Sequence, residues 1–270
     1  MKQLRESILK KKPTNFELTS DALKNVIYQT PVNVPVWEKN WLDKWEFDLK
    51  GSTVLVCKLL NMVQPTIYID NNTITQLKEL HIKEIKFDTP TYFDVQLSCA
   101  DCNNLKFTNT SEETIMFGIK SNCRNFVIEA ESVAFPIPGY NVQNVNISCN
   151  ELQIGLNYHP GNSKITTNAP SVTCVGEVYD ILKQDKISLF KYKTGEPIAT
   201  KFKKEKIDLL KLLGLDTFEF TNKDARIRMD TAGSRYNSNM CTIDKQKINK
   251  KSTDRAVYEL ANGWWLHDGQ

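Results

Sequence analysis

The chain has 270 residues, 40% apolar and 25% charged, and its 35 Lys and Arg against 32 Asp and Glu leave a formal charge of +3. That composition belongs to a folded chain rather than a disordered or fibrous one. No stretch of about 18 apolar residues exists to span a bilayer, and Met1 to Lys12 lacks the apolar run and cleavage site of a signal peptide. A cytoplasmic location with no membrane partner is expected.

The charge is unevenly spread. Residues 1–60 carry 10 basic and 7 acidic side chains, residues 61–182 carry 7 and 13, and residues 183–270 carry 18 and 12. The acidic middle argues against nucleic-acid binding there, because phosphates recruit clustered Lys and Arg. The change of sign divides the chain into an N-terminal cap over 1–60, a repeat region over 61–180 and a basic C-terminal domain over 181–270.

In the first part, Thr19-Ser20-Asp21 precedes Ala22-Leu23 and Val26-Ile27, the pattern of an N-capped short helix. Pro35 then opens a segment in which Trp37, Trp41 and Trp45 recur every fourth residue, which predicts three indoles along one helical stripe. Such a stripe serves as a cap over open core or as a partner-binding surface, where Trp is enriched. From Glu46 to Leu60 the pattern reads as strand, Lys-Gly turn, strand.

From residue 77 a six-residue pattern recurs: small or apolar, two variable, apolar, one variable, apolar. Its copies begin at Leu77, Cys102, Cys123, Cys149 and Ala169, spaced by 25, 21, 26 and 20 residues. Between them lie alternating runs such as Phe93-Asp-Val95-Gln-Leu97, Ile115-Met-Phe117-Gly-Ile119 and Val142-Gln-Asn-Val145-Asn-Ile147. Alternation rich in β-branched and aromatic residues predicts half-buried strands, with Asn, Asp, Gly and Ser at the joints. Helical periodicity is hard to find between residues 66 and 180. Each repeat is then about two short strands and two turns, the unit of a β-solenoid.

After residue 180 the spacing predicts a hairpin over Ile187–Phe202 and an amphipathic helix from Lys203 to Leu213 stopped by Gly214. A second hairpin is expected over Phe218–Met229, and a third at Asn262-Gly263 beside Trp264 and Trp265. The fold class is therefore mainly β: a short β-solenoid with a helical N-terminal cap and a small α+β domain at the C-terminus.

Chemistry is sparse. Seven cysteines (Cys57, Cys99, Cys102, Cys123, Cys149, Cys174 and Cys241) without an export signal predict buried thiols rather than disulfides. Cys99 and Cys102 form the one Cys-x-x-Cys, but no second pair or His-x-x-x-His completes a zinc site. Asp101 between the sulfurs, with no helix following, disfavours a redox pair. These cysteines read as small buried hydrophobes at a turn, so no cofactor is expected. No nucleophile elbow, phosphate loop or His-Glu-x-x-His is present. The carboxylate pairs Glu112/Glu113 and Glu129/Glu131, which a glycan-cleaving solenoid would need, read as solvated turn and strand positions. The chain is expected not to be an enzyme. Lys201, Lys203, Lys204, Lys206, Arg226 and Arg228, interleaved with aromatics, are the candidate nucleic-acid contacts. Trp37, Trp41, Trp45, Trp264 and Trp265 are the candidate protein contacts.

The Cys-x-x-Leu step inside an L-x-x-L-x-L-like pattern resembles leucine-rich repeats of the bacterial-surface (BspA-like) variety, over about 100 residues. That resemblance implies a binding scaffold with no catalytic residues. The opening "MKQLRESILKKK", the many Lys and Asn and the degenerate repeats also resemble proteins of bacteriophages that infect Bacteroides-type hosts. This implies a scaffold or virion-associated protein, found in the host cytoplasm or the particle, with protein partners or self-assembly. Binding of nucleic acid or of a glycan are the alternatives.

Overall fold

The computed structural model describes residues 45–50, 53–59, 66–89, 91–136, 139–156, 162–176, 209–229, 241–246, 257–259 and 263–268. In chain order these form strands β1 (Trp45–Lys50), β2 (Val54–Leu59) and β3 (Thr66–Asp70), then helix α1 (Asn71–Glu79). Next come β4 (Glu84–Asp88), β5 (Phe93–Ser98), β6 (Leu105–Asn109), β7 (Ile115–Ile119) and β8 (Cys123–Glu129). They are followed by β9 (Ser132–Pro136), β10 (Val142–Ser148), β11 (Glu151–Leu156), β12 (Ile165–Thr167) and β13 (Ser171–Gly176). The rest are α2 (Leu209–Leu212), a 3-10 turn, β14 (Phe218–Phe220), β15 (Arg226–Met229), β16 (Cys241–Asp244), β17 (Val257–Glu259) and β18 (Trp265–Asp268).

The protein is mainly β, with two parallel sheets. One has the order β1-β2-β4-β6-β8-β10-β12-β14 and the other β17-β18-β16-β15-β13-β11-β9-β7-β5-β3. From β2 to β14 and from β3 to β15, every neighbouring pair is parallel. The chain therefore lays one strand in each sheet per circuit and crosses between sheets at two corners. Antiparallel strands close the ends: β1 lies on β2, and β16, β18 and β17 continue outward from β15.

The alternation that predicts strands is also what builds the core. In β5, β6 and β7 every second residue is buried, and the others are half-buried on the outer face. Inward residues stack in register from circuit to circuit: Ile85 on Phe107, Phe107 on Ile128, Ile128 on Ile147, Ile147 on Thr167. Each step advances by about 20 residues along the chain. Between the sheets the Phe107 and Phe117 rings meet edge to face at 5.3 Å, and Phe87 and Phe93 lie at 4.6 Å. Thr167 pairs next with Phe220, so the circuit that ends at β14 carries a long insertion.

The repeat is organised differently from its sequence pattern. Cys102 and Cys123 lead into β6 and β8 of one sheet, whereas Cys149 and Ala169 lead into β11 and β13 of the other. Val142, read as part of an intervening run, is the register partner of Cys123. Both sheets turn their apolar residues to one core, so hydropathy alone does not separate the two kinds of strand.

Four further expectations are corrected. Leu77 belongs to α1, not to a strand copy; Asp70 caps this helix, accepting from the Thr73 backbone N–H at 2.7 Å and its hydroxyl at 2.9 Å. With β-branched Thr and Ile and few apolar positions, α1 rests on its cap and on burying Ile74 and Leu77 rather than on periodicity. It also shows that the region from 66 to 180 is not free of helix. Trp45 opens β1, so it does not continue a helical stripe with Trp37 and Trp41, which lie outside the described residues. Phe218–Met229 is not a hairpin, because β14 and β15 lie in different sheets and Asn222 to Asp224 turn a corner between them.

The two end hairpins agree with their turn signals. β1 pairs with β2, and β17 pairs with β18 across Gly263, whose φ of 75° suits glycine. Gly214, at φ 71°, follows α2 as the expected helix stop. The other predicted elements, at residues 19–28, 187–202 and 203–208, lie outside the described residues. No helix among the described residues is long and apolar enough to cross a membrane.

Candidate functional site

Because the strands from β2 to β14 and from β3 to β15 run parallel within each sheet, each crossing type recurs at one edge of the stack. The corner from the odd-numbered to the even-numbered strands contains Cys99, Cys102 and Cys123. Cys99 follows β5 two residues after inward-facing Leu97, and Cys102 precedes β6. The next circuit brings Cys123 over Cys102, with the Cys102 N–H donating to the Arg124 carbonyl at 2.9 Å.

What aims the Cys102 and Cys123 thiols inward is a left-handed residue. Asn104, Asn125 and Asn144 have φ of 59°, 60° and 54°, each one residue before an inward apolar side chain. Asn tolerates this conformation far better than β-branched or bulky residues. The backbone kink lets the residue three positions before the apolar one also face the core: Cys102 before Leu105, Cys123 before Phe126, Val142 before Val145. The Asn side chains stack. The Asn144 amide donates to Asn125 at 3.0 Å, and the Asn125 amide donates to both Asp101 oxygens at 3.0 and 3.1 Å.

Asp101 is the knot of this corner. Besides Asn125 it accepts from the Asn103 N–H at 2.8 Å and from Arg124 Nε at 2.9 Å. Partial burial works against its charge, but these donors hold its carboxyl below the usual carboxylate range. Asn125→Ala is expected to cost about 2 kcal/mol, roughly half from the left-handed backbone and half from the lost bonds. Asn125→Gly should recover the backbone share. Urea midpoints of the two variants that coincide would refute this division.

The three sulfurs touch. Cys99 Sγ lies 3.3 Å from Cys102 Sγ and 3.9 Å from Cys123 Sγ, and Cys102 lies 3.4 Å from Cys123. All three side chains are buried and free. Hydrogen bonding with Cys102 and then with Cys99 draws the Cys123 thiol well below the ordinary range, against the effect of burial. Cys102 moves the other way, pushed up by the same contacts with Cys123 and Cys99 and then by burial. For Cys99, contact with Cys102 lowers the thiol, but contact with Cys123 and burial outweigh it. The three thiols in contact therefore titrate as one coupled set. By contrast Cys57 and Cys174, deep between the sheets, are simply raised by burial.

The opposite corner, from even-numbered to odd-numbered strands, forms a shallow trough of about 510 Å³ lined by Glu129, Glu131, Ser148, Asn150, Asn168 and Asn222. Its polar groups are bonded along the stack. Asn150 donates to Glu131 at 2.8 Å, Asn168 to Ser148 at 2.9 Å, and Asn222 to the Asn168 carbonyl at 3.2 Å. Glu129 pairs with Lys106 at 2.6 Å. Glu112 and Glu113 are exposed at the turn before β7.

Other candidate residues are scattered. Trp264 is buried at the end of the core, its ring 5.5 Å from Phe220 with the Lys245 ammonium 5.1 Å above it. Trp265 is half-buried at the start of β18. Arg226 and Arg228 are exposed on β15, alternating with buried Ala225 and Ile227. Lys201, Lys203, Lys204 and Lys206 lie outside the described residues. Sequence reading missed the contribution of Cys123 because it sought ligands in neighbouring pairs. The available signal was the Asn before the apolar step, present after Cys102 and Cys123 and absent after Cys149. Compared with protein-family models, curated proteins and solved structures, the chain matches none.

Proposed function

We propose that the chain is a short β-solenoid serving as a non-enzymatic interaction scaffold, with the polar trough as its recognition surface. The observation that carries this reading is the trough itself. Amides and carboxylates from four successive crossings are held by bonds between circuits, so their spacing is set by the strand separation of about 4.8 Å. Such pre-organisation lowers the entropy lost on binding an extended polar partner. The phage-like composition extends the proposal to a particle-associated role.

The test is affinity capture from the native source with mass spectrometry, using the full chain and a Glu131→Lys variant. A partner captured by the parent chain and lost with Glu131→Lys, but kept with Lys86→Glu on the outer sheet face, supports the reading. Capture indifferent to Glu131→Lys removes the trough from it. Retention on a polyanion resin with steep salt dependence would turn the reading toward nucleic acid. Light scattering distinguishes self-assembly from capture of a different protein.

A further inference from the structure

We propose that Cys99, Cys102 and Cys123 form a binding site for a thiophilic divalent d10 cation of the Zn²⁺ type, held by three thiolates with a fourth position open. Their sulfurs all lie within 4.8 Å of one another, with separations of 3.3, 3.4 and 3.9 Å. Zinc–thiolate bonds of ~2.3 Å in a tetrahedron space their sulfurs about 3.8 Å apart, so a small outward shift of Cys102 Sγ, common to both short separations, completes one face. A planar three-thiolate ion of the copper(I) type needs separations of about 4.0 Å at the same bond length, a larger shift of the sulfurs. An iron–sulfur cluster would need its inorganic core between the thiolates, and sulfurs in mutual contact leave no room for one.

Packing requires small side chains at this corner, but it does not require sulfur; Val142 occupies the same register position one circuit later. The three ligands come from two circuits and from both crossing ends, so a bound ion would staple adjacent circuits together. They lie beneath a single layer of corner residues, of which Ala100, Asn103 and Asn122 are exposed, so an ion has a short way in.

Continuing the Leu97–Ile119 register puts Ser121 beside Cys99, and the buried Ser121 hydroxyl has no hydrogen-bond partner. Water on the open fourth position would supply one. Asp101 is already committed to Asn103, Asn125 and Arg124, so it acts on the corner backbone rather than as a ligand. Binding transfers the thiol protons to solvent, so affinity rises with pH.

The experiment uses the reduced full-length chain titrated with Cd²⁺, with Zn²⁺ competition as a second arm. One equivalent of Cd²⁺ per chain is expected, with thiolate-to-metal charge-transfer absorption, proton release and displacement by Zn²⁺. Cys123→Ala should weaken binding by about 100-fold or more, since even loss of an outer-shell partner costs 10- to 100-fold. Cys174→Ala, equally buried but outside the cluster, should bind as the parent does. X-ray absorption on the parent chain keeps the test independent of how the variants fold, and about three sulfurs per metal is the expected count. The proposal is overturned by no uptake in the reduced chain, by binding unchanged in Cys123→Ala, by a sulfur count of one or none, or by uptake of copper(I) alone.

Discussion

Phe107→Ala is expected to lower the free energy of unfolding by about 3–5 kcal/mol. Phe107 has no solvent exposure, and its ring meets Phe117 of the opposite sheet at 5.3 Å and Phe126 of its own sheet at 6.2 Å. Truncation removes contacts in both directions, and circuits locked in register on either side limit how far the void can collapse. The measurement is the urea midpoint at constant slope, with Thr166→Ala on the outer face as a control expected to change it by no more than about 0.5 kcal/mol. A loss below about 1 kcal/mol at Phe107 would mean that the two sheets do not share one core.

The second large effect is alkaline loss of stability. Thiols of the unfolded chain ionise near ~8.5. In the folded chain burial pushes Cys174 up to about 12, burial followed by Glu131 and Glu151 pushes Cys149 up to about 12, and burial raises Cys57 well above the usual range. Folded values above unfolded ones mean that stability is fully present below ~8.5. It is lost as pH rises toward about 12, at up to ~1.4 kcal/mol per pH unit for each thiol. Urea unfolding at pH 7, 9 and 10 should show this slope, and a Cys57→Ala/Cys174→Ala double variant should be less steep. Equal slopes for the two chains would assign the alkaline loss to other groups.

How far the fold was legible depends on which residues carried it. Strands β5, β6, β7 and β8 were visible in the alternation of Phe93 to Leu97, Leu105 to Phe107, Ile115 to Ile119 and Phe126 to Ile128, because a half-buried strand must alternate. The end hairpins were visible in Lys50-Gly51 and Asn262-Gly263, since turn residues act locally. Helix α1 was not, because its cap and two apolar contacts give a weak periodic signal. The chain closes a corner between β14 and β15 with a segment that locally resembles a hairpin turn. Only the position of the preceding strands decides between those outcomes.

The candidate site divides along the same line. By itself the sequence determined that Cys57, Cys99, Cys102, Cys123, Cys149 and Cys174 would be buried and free of disulfides, and that alternating strands would recur every 20 to 26 residues. It also put Asn, Asp, Gly and Ser at the joints, although the left-handed role of Asn104, Asn125 and Asn144 became plain only in register. Tertiary structure alone decided that Cys123 sits on Cys102 and beside Cys99, and that Glu131, Asn150, Asn168 and Asn222 line one trough. The reason is physical: alternation and turn preference act between near neighbours in the chain. Contact between circuits depends on how many residues each corner consumes, and no local preference encodes that sum.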